Sequence, residues 1–188
     1  MAHAFSSQSP MSQALSRAGD WILPTLARYV FASSLMLYFW ASAMTKVVDG
    51  LFGILQPSLG AYAQVFPKAM EAVGYDVSQL GLYHWAVVTA GTLAEFILPL
   101  LVVLGLLTRL ASLGMIGFVT VQSLTDLYGH GGIAHIETLG AMFDRLPDGV
   151  ILDQRMFWVL LLLVLVFKGA GPLSMDRLFF GGAKTAFP

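Results

Sequence analysis

The chain has 188 residues, of which 57% are hydrophobic and 11% charged, with a formal net charge of −1. Soluble domains carry roughly 25% charged residues, so this composition excludes an ordinary water-soluble fold and implies one integral membrane domain. Cysteine is absent, which excludes thiolate nucleophiles, disulfide relays and Cys-ligated iron–sulfur clusters.

Residues 1–20 lack an apolar core followed by a cleavage signal and are expected to form a disordered polar tail rather than a secretory leader. A first span is predicted over 25–44, with Pro24 just before it. Trp21 and Arg28 anchor one membrane face, and Trp40 and Lys46 the other. Ser34, Tyr38, Thr45 and Asp49 recur at helical spacing, so one side of this span is turned to another span. The connection 47–80 is rich in glycine and proline; Tyr62, Val65, Phe66, Ala69, Met70 and Val73 predict one short amphipathic helix at the interface.

A second span is predicted over 82–107. Its apolar run, 85–107, holds a single ionisable side chain, Glu95. A carboxylate at that depth is costly and marks a functional-site hypothesis. Pro99, four residues on, removes the N–H that would pair with the Glu95 carbonyl. Side chain and backbone both need polar company, and Lys46, Tyr38, Gln122 and Ser123 are the candidate partners. Two readings stay open: a proton- or ligand-binding acid, or a neutral acid that only ties helices together. Ala86, Ala90, Ala94 and Gly91 form a small-residue face that lets another helix approach and permits self-association.

Thr108 and Arg109 form a tight turn into a third span, 110–128, with Gln122, Ser123 and Asp126 on one side. The loop 129–154 is predicted to hold a short helix over 133–143. Asp126, His130, His135 and Glu137 carry side chains that suit zinc, copper or nickel, although their spacing matches no strong signature. His84 with His130 would suit a haem between spans two and three. Solvated loop residues and headgroup contacts are the commoner explanations of the two sets. All four tryptophans lie towards span ends, as an aromatic belt would place them.

The fourth span has an apolar core of only 156–167; if Arg155 and Lys168 snorkel it extends over 152–171. Ser174 is placed to cap a last short helix reaching Phe180, with Asp176 in its first turn. The predicted architecture is an all-α, antiparallel four-helix membrane bundle with two extracytoplasmic loops containing short interfacial helices. Residues 1–20 would be a cytoplasmic tail, 21–181 one membrane domain and 182–188 a C-terminal tail. Arg17, Arg28, Arg109, Lys168, Arg177 and Lys184 fall on the side of the termini; only Lys46, Lys68, Arg145 and Arg155 fall on the other. This bias places both termini in the cytoplasm of a bacterial inner membrane. Arg109, Lys168 and Arg177 are candidates for docking a cytoplasmic partner.

Three stretches resemble the DoxX family of small four-helix bacterial membrane proteins: Ala43-Met44-Thr45-Lys46, AEFILPLLVVLGLLTRLASLGMIG at 94–117, and KGAGPLSMDRLF at 168–179. The resemblance implies an accessory protein or subunit linked to respiratory sulfur oxidation, quinone-coupled redox or oxidative stress. The stretch ILDQRMFW at 151–158 is similar to that of members tied to metal stress. It carries no agreed catalytic motif. The expected function is therefore a non-enzymatic membrane accessory protein of a redox, oxidative-stress or metal-stress system. The alternatives are a small transporter or metal-binding permease using Glu95 and Asp126, and a quinone- or haem-linked oxidoreductase subunit. A quinone, a haem and a transition metal stay open as cofactors. Expected partners are the lipid bilayer and a protein partner or second copy, with no nucleic acid. The sequence holds no nucleophile–base pair and no nucleotide fingerprint, which weighs against an enzyme.

Overall fold

The computed structural model describes residues 9–50 and 52–181. Among them, four helices are long and apolar enough to cross a membrane: α1 (Pro10–Met44), α4 (Leu82–Leu104), α5 (Thr108–Gly129) and α7 (Val150–Lys168). Four short ones complete the set: α2 (Leu59–Val65), α3 (Pro67–Ala72), α6 (Ile136–Leu139) and α8 (Met175–Phe180). Helix α1 packs on α4 and α7, and α5 packs on α4 and α7, so the long helices form a closed ring of antiparallel neighbours.

The core follows from four-residue spacing. Ala27, Phe31, Leu35 and Phe39 make one stripe of α1 and Ala111, Met115 and Val119 one of α5, closed by Val102, Leu162 and Leu165. Phe39 is its centre, with ring centroids 6.0 Å from both Phe118 and Trp158. Helix α1 widens into a π-helical turn at Ala32–Met36, beside Ser33 and Ser34, whose hydroxyls donate back to the Val30 carbonyl at 3.1 and 2.6 Å.

Several boundaries depart from expectation. Helix α1 begins at Pro10 rather than after residue 20, because Ser9 caps it by accepting from the Ser12 N–H at 3.3 Å and proline suits the first turn. Residues 10–20 are thus helical; the rest of the expected N-terminal tail, 1–8, and the C-terminal tail, 182–188, lie outside the described residues. The single helix expected in 47–80 is two. Phe66 is held at φ −127°, ψ 58° ahead of Pro67, away from helical geometry, so α2 stops and α3 starts. Both fold onto the bundle: Ala61, Tyr62 and Met70 are buried against Val88 of α4 in a second small core. In 133–143 only a turn at Gly132–Ala134 and one turn of helix, α6, form, the latter ended by Gly140 at φ 72°. Nearby, a side chain on Gly140 would meet the Asp153 carboxylate 2.5 Å away.

Helix α4 ends at Leu104, three residues short of the predicted span, with Gly105 in the left-handed region and the Leu106 N–H returning to the Leu101 carbonyl at 3.0 Å. Helix α5 correspondingly starts at Thr108. Helix α7 runs Val150–Lys168 and stops at Gly169, φ 81°, rather than spanning 152–171.

Candidate functional site

The end of α1 and the middle of α4 meet at one ion pair. Lys46 follows the last turn of α1 and folds back along it. Its Nζ donates to both Glu95 oxygens, at 2.8 and 3.1 Å, and to the Ser42 hydroxyl at 2.6 Å and carbonyl at 3.1 Å. The Ser42 hydroxyl in turn donates to Glu95 Oε1 at 3.2 Å. Lys46 and Glu95 are 6% and 3% exposed. Two charges this deep are tolerable only when they face each other and their remaining capacity is met by further hydrogen bonds, which Ser42 supplies. One turn along α1, Trp40 donates to the Phe96 carbonyl at 3.1 Å and fixes the two helices beside the pair.

The other predicted partners of Glu95 are engaged elsewhere. Gln122 donates to the Tyr38 hydroxyl at 3.2 Å. Ser123 donates to the Val119 carbonyl at 2.7 Å and accepts from Arg155 at 3.0 Å. Only Lys46 of the four reaches the acid, and Ser42, absent from the sequence-based set, joins it. The signal for Ser42 was its place four residues before Lys46, one helical turn up the same face.

Glu95, Ser42 and Lys46 form one wall of a cavity of about 510 Å³ between α1, α4 and α5, roofed in part by Gln64 and Val65 of α2. That is ample room for a small molecule. The room comes from small residues. Ala90, Gly91 and Ala94 on α4 face Gly114 and Gly117 on α5, with Phe118 and Val121 alongside. A methyl group on Gly91 or Gly117 would meet nothing within 4 Å, whereas at Gly114 it would lie 3.0 Å from Leu98. Three members of the small-residue face, Ala90, Gly91 and Ala94, thus line this cavity, and Ala86 and Ala90 are exposed. Gln122, Asp126 and His130 line its far end. The Gln122 Oε1 atom is buried and has no hydrogen-bond partner.

The four residues proposed to share a metal do not converge. Asp126 is paired with Arg155 at 2.5 Å. His130 Nε2 donates to the Gln64 carbonyl at 3.0 Å, while His135 and Glu137 are exposed on the turn that carries α6. No group of three or more His, Asp or Glu among the described residues is placed to hold a metal ion. Of the two histidines read as a haem pair, His130 holds the Gln64 carbonyl, while the His84 ring packs on Phe66 with centroids 4.9 Å apart and keeps its buried Nδ1 without a hydrogen-bond partner. Two of the presumed belt tryptophans, Trp40 and Trp158, are half-buried and also contact neighbouring helices. Trp40 bonds to α4, and Trp158 packs on Tyr38 and Phe39 at 5.4 and 6.0 Å.

Two basic residues, Arg155 read as a snorkelling end and Arg28 read as a surface anchor, differ most from expectation, whereas Lys168 stays exposed as a snorkelling end would. Arg155 is 4% exposed and turned inward to Ser123 and Asp126. Arg28 is buried at the opposite end, where it donates to the carbonyls of Val102 at 3.1 Å, Val103 at 2.5 Å, Ala170 at 3.1 Å and also Leu173. Lys168 pairs with Asp20 at 2.5 Å, both exposed. Beside Arg28, Asp176 accepts from the Leu107 and Thr108 N–H groups at 2.6 and 2.9 Å, and its own N–H bonds the Gly105 carbonyl at 2.8 Å. Together they bind the start of α8 to the α4–α5 turn, so the tail stretch 168–179 holds the base of the bundle.

The family model described as DoxX matches residues 24–125, more than half of the chain. The match takes in α1 from Pro24, the α2–α3 cap, α4 and most of α5, and so all of the Lys46–Glu95 centre. No curated protein and no solved structure matches the chain.

Proposed function

Since the chain belongs to the DoxX family and is a small, multi-pass, four-helix membrane protein, we propose that it is a non-enzymatic accessory protein of a membrane redox system whose cavity binds a lipid-soluble molecule of the quinone class. One observation carries this reading: the buried Lys46–Glu95–Ser42 cluster forms the polar wall of an otherwise mainly apolar cavity. Such a site suits a flat apolar ring with an oxygen at each end. The protons of Lys46 and Ser42 are spent within the cluster, so a bound carbonyl oxygen would take one over from Glu95 or Ser42, while the orphaned Gln122 Oε1 is free to accept from a hydroxyl.

Between the cavity and the base of the bundle, Phe31, Leu35, Val102, Met115, Leu162 and Leu165 are tightly packed. That packing favours a bound molecule over a permeation path. We place the protein in the bacterial cytoplasmic membrane with both termini inside, on the strength of the basic residues gathered at that end. A role in oxidative or metal stress rests on the family's associations.

The test is to purify the full chain in a mild neutral detergent, extract it with organic solvent and identify retained molecules by mass spectrometry. The expected result is a quinone close to equimolar with the chain, lost from Glu95→Gln. A chain that retains no such molecule, and whose tryptophan fluorescence does not respond to an added short-chain quinone, would rule the reading out.

A further inference from the structure

A second hollow, of about 570 Å³, lies at the opposite end of the bundle, where α5 begins and α7 ends. Arg109, Lys168 and Arg177 line it, and all three are exposed. Arg109 lies over Gly169, with its Nε 3.6 Å from where a glycine side chain would begin, and donates weakly to the Phe167 carbonyl at 3.4 Å. The acid on the wall, Asp176, has one oxygen committed to each of two backbone N–H groups. Thr108 also lines the hollow; it is 1% exposed, and its hydroxyl has no partner. Around the hollow, Leu110, Phe167, Leu173, Leu178, Phe179 and Phe180 are each more than half exposed.

We infer that this hollow is a binding site for the phosphate headgroup of an anionic phospholipid. Three features converge on that occupant. The hollow sits where two spanning helices end, at the level of headgroups. Of its three cations Lys168 is shared with Asp20, which leaves two guanidinium groups able to grip phosphate oxygens as a fork. Its rim is apolar, which suits acyl chains descending beside α8 and is a poor match for a soluble anion. Basic pockets between spanning helices recognise anionic headgroups by this combination. The site is separate from the cavity at Glu95, and the inference does not depend on what that cavity holds.

The experiment uses the full chain in a neutral detergent and titrates phosphatidylglycerol, phosphatidylcholine and inorganic phosphate separately, reading binding by native mass spectrometry and by the shift in thermal midpoint. Phosphatidylglycerol should bind and raise the midpoint; the other two should not. Each basic residue near an anionic surface contributes about fivefold in affinity, so Arg109→Gln with Arg177→Gln should weaken binding about twenty-five-fold. That pair of changes leaves the Lys168–Asp20 contact untouched, and an unaltered helical circular dichroism signal would establish that the fold persists. Lys68→Gln on α3 with Arg145→Gln in the loop 129–154, both towards the other end, should leave binding unchanged. Equal binding of phosphatidylcholine, equal stabilisation by phosphate alone, or unweakened binding by the Arg109 and Arg177 variant would overturn the inference. So would a variant that loses a co-purifying protein while keeping the lipid, since the surface would then serve a protein partner.

Discussion

Arg28 of α1 donates from Nε to the carbonyl of Val102, 74 residues away in the last turns of α4, at 3.1 Å. Its other contacts, to Val103, Ala170 and Leu173, make one guanidinium the shared cap of α4 and of the turn before α8. The last carbonyls of a helix have no partners within it, and here a side chain supplies them. Hydrogen bonds to charged groups contribute about 1.5–3 kcal/mol each. Arg28→Ala should therefore cost at least about 3 kcal/mol of stability, and Arg28→Lys should recover only part, because an ammonium cannot reach four carbonyls as a planar fork does. Gly105→Ala should also destabilise: its methyl would lie 2.6 Å from the Arg28 Cζ, on a backbone at φ 67°. Detergent-denaturant unfolding followed by circular dichroism measures all three.

The Lys46–Glu95 pair makes a different prediction, about coupling. Removing one member of a buried pair leaves the other charge without compensation and costs about 3–5 kcal/mol, whereas replacing both is often nearly neutral. Glu95→Gln and Lys46→Met should each destabilise strongly, and the double variant should be more stable than either single one. Ligand retention should fail in all three, because the polar wall is gone. If the three stabilities simply add, the 2.8 Å contact carries no coupling and the pair is incidental.

What the sequence could disclose divides along a physical line. Glu95 stands out because one carboxylate in an apolar run is conspicuous whatever packs against it. Its choice of Lys46 over Tyr38, Gln122 or Ser123 depends on where α1 and α4 cross, a contact spanning 49 residues that no local pattern encodes. The inward turn of Arg28 was hidden for a related reason. An arginine near a span end is satisfied equally by headgroups, and what draws it in is the set of free carbonyls that exists only once α4 has stopped at Gly105. The Ser174–Asp176 start of α8, by contrast, was readable, since capping is local: Ser174 accepts from the Arg177 N–H at 3.3 Å. The metal set failed because Arg155, read as a snorkelling end, claims Asp126.

Asp76 gives a pH prediction outside the spans. Its carboxylate accepts from the Ser78 hydroxyl at 2.6 Å and N–H at 3.0 Å and from Gln79 at 3.1 Å. These bonds, the Ser78 hydroxyl first, hold its pKa below the usual aspartate value. A depressed folded pKa means the cap on the Val77–Gln79 turn is fully present above the unfolded value and is lost only as pH falls through the lower, folded one. The Ser78 amide resonance should therefore shift at a lower pH than that of a free aspartate neighbour, and Asp76→Asn should remove the titration. A midpoint at the ordinary aspartate value would contradict the contacts described.

The cavity allows function and stability to be moved separately. Gly91 and Gly117 sit inside regular helices on the cavity lining, and a first side-chain carbon at either meets nothing within 4 Å. In a helix glycine is about 1 kcal/mol less favourable than alanine, and leucine is nearly as good as alanine. Gly91→Leu and Gly117→Leu should therefore leave stability unchanged or raise it, while their side chains fill the room beside Glu95 and expel the bound molecule. Gly114→Leu is the contrasting arm. Its first carbon would already press on Leu98 at 3.0 Å, so it should destabilise the α4–α5 contact by about 1–3 kcal/mol, as overpacking does. Thermal midpoints and extracted ligand, measured on the same preparations, separate the cases. Full ligand retention in both Gly91→Leu and Gly117→Leu would mean that the molecule, if one binds, sits elsewhere.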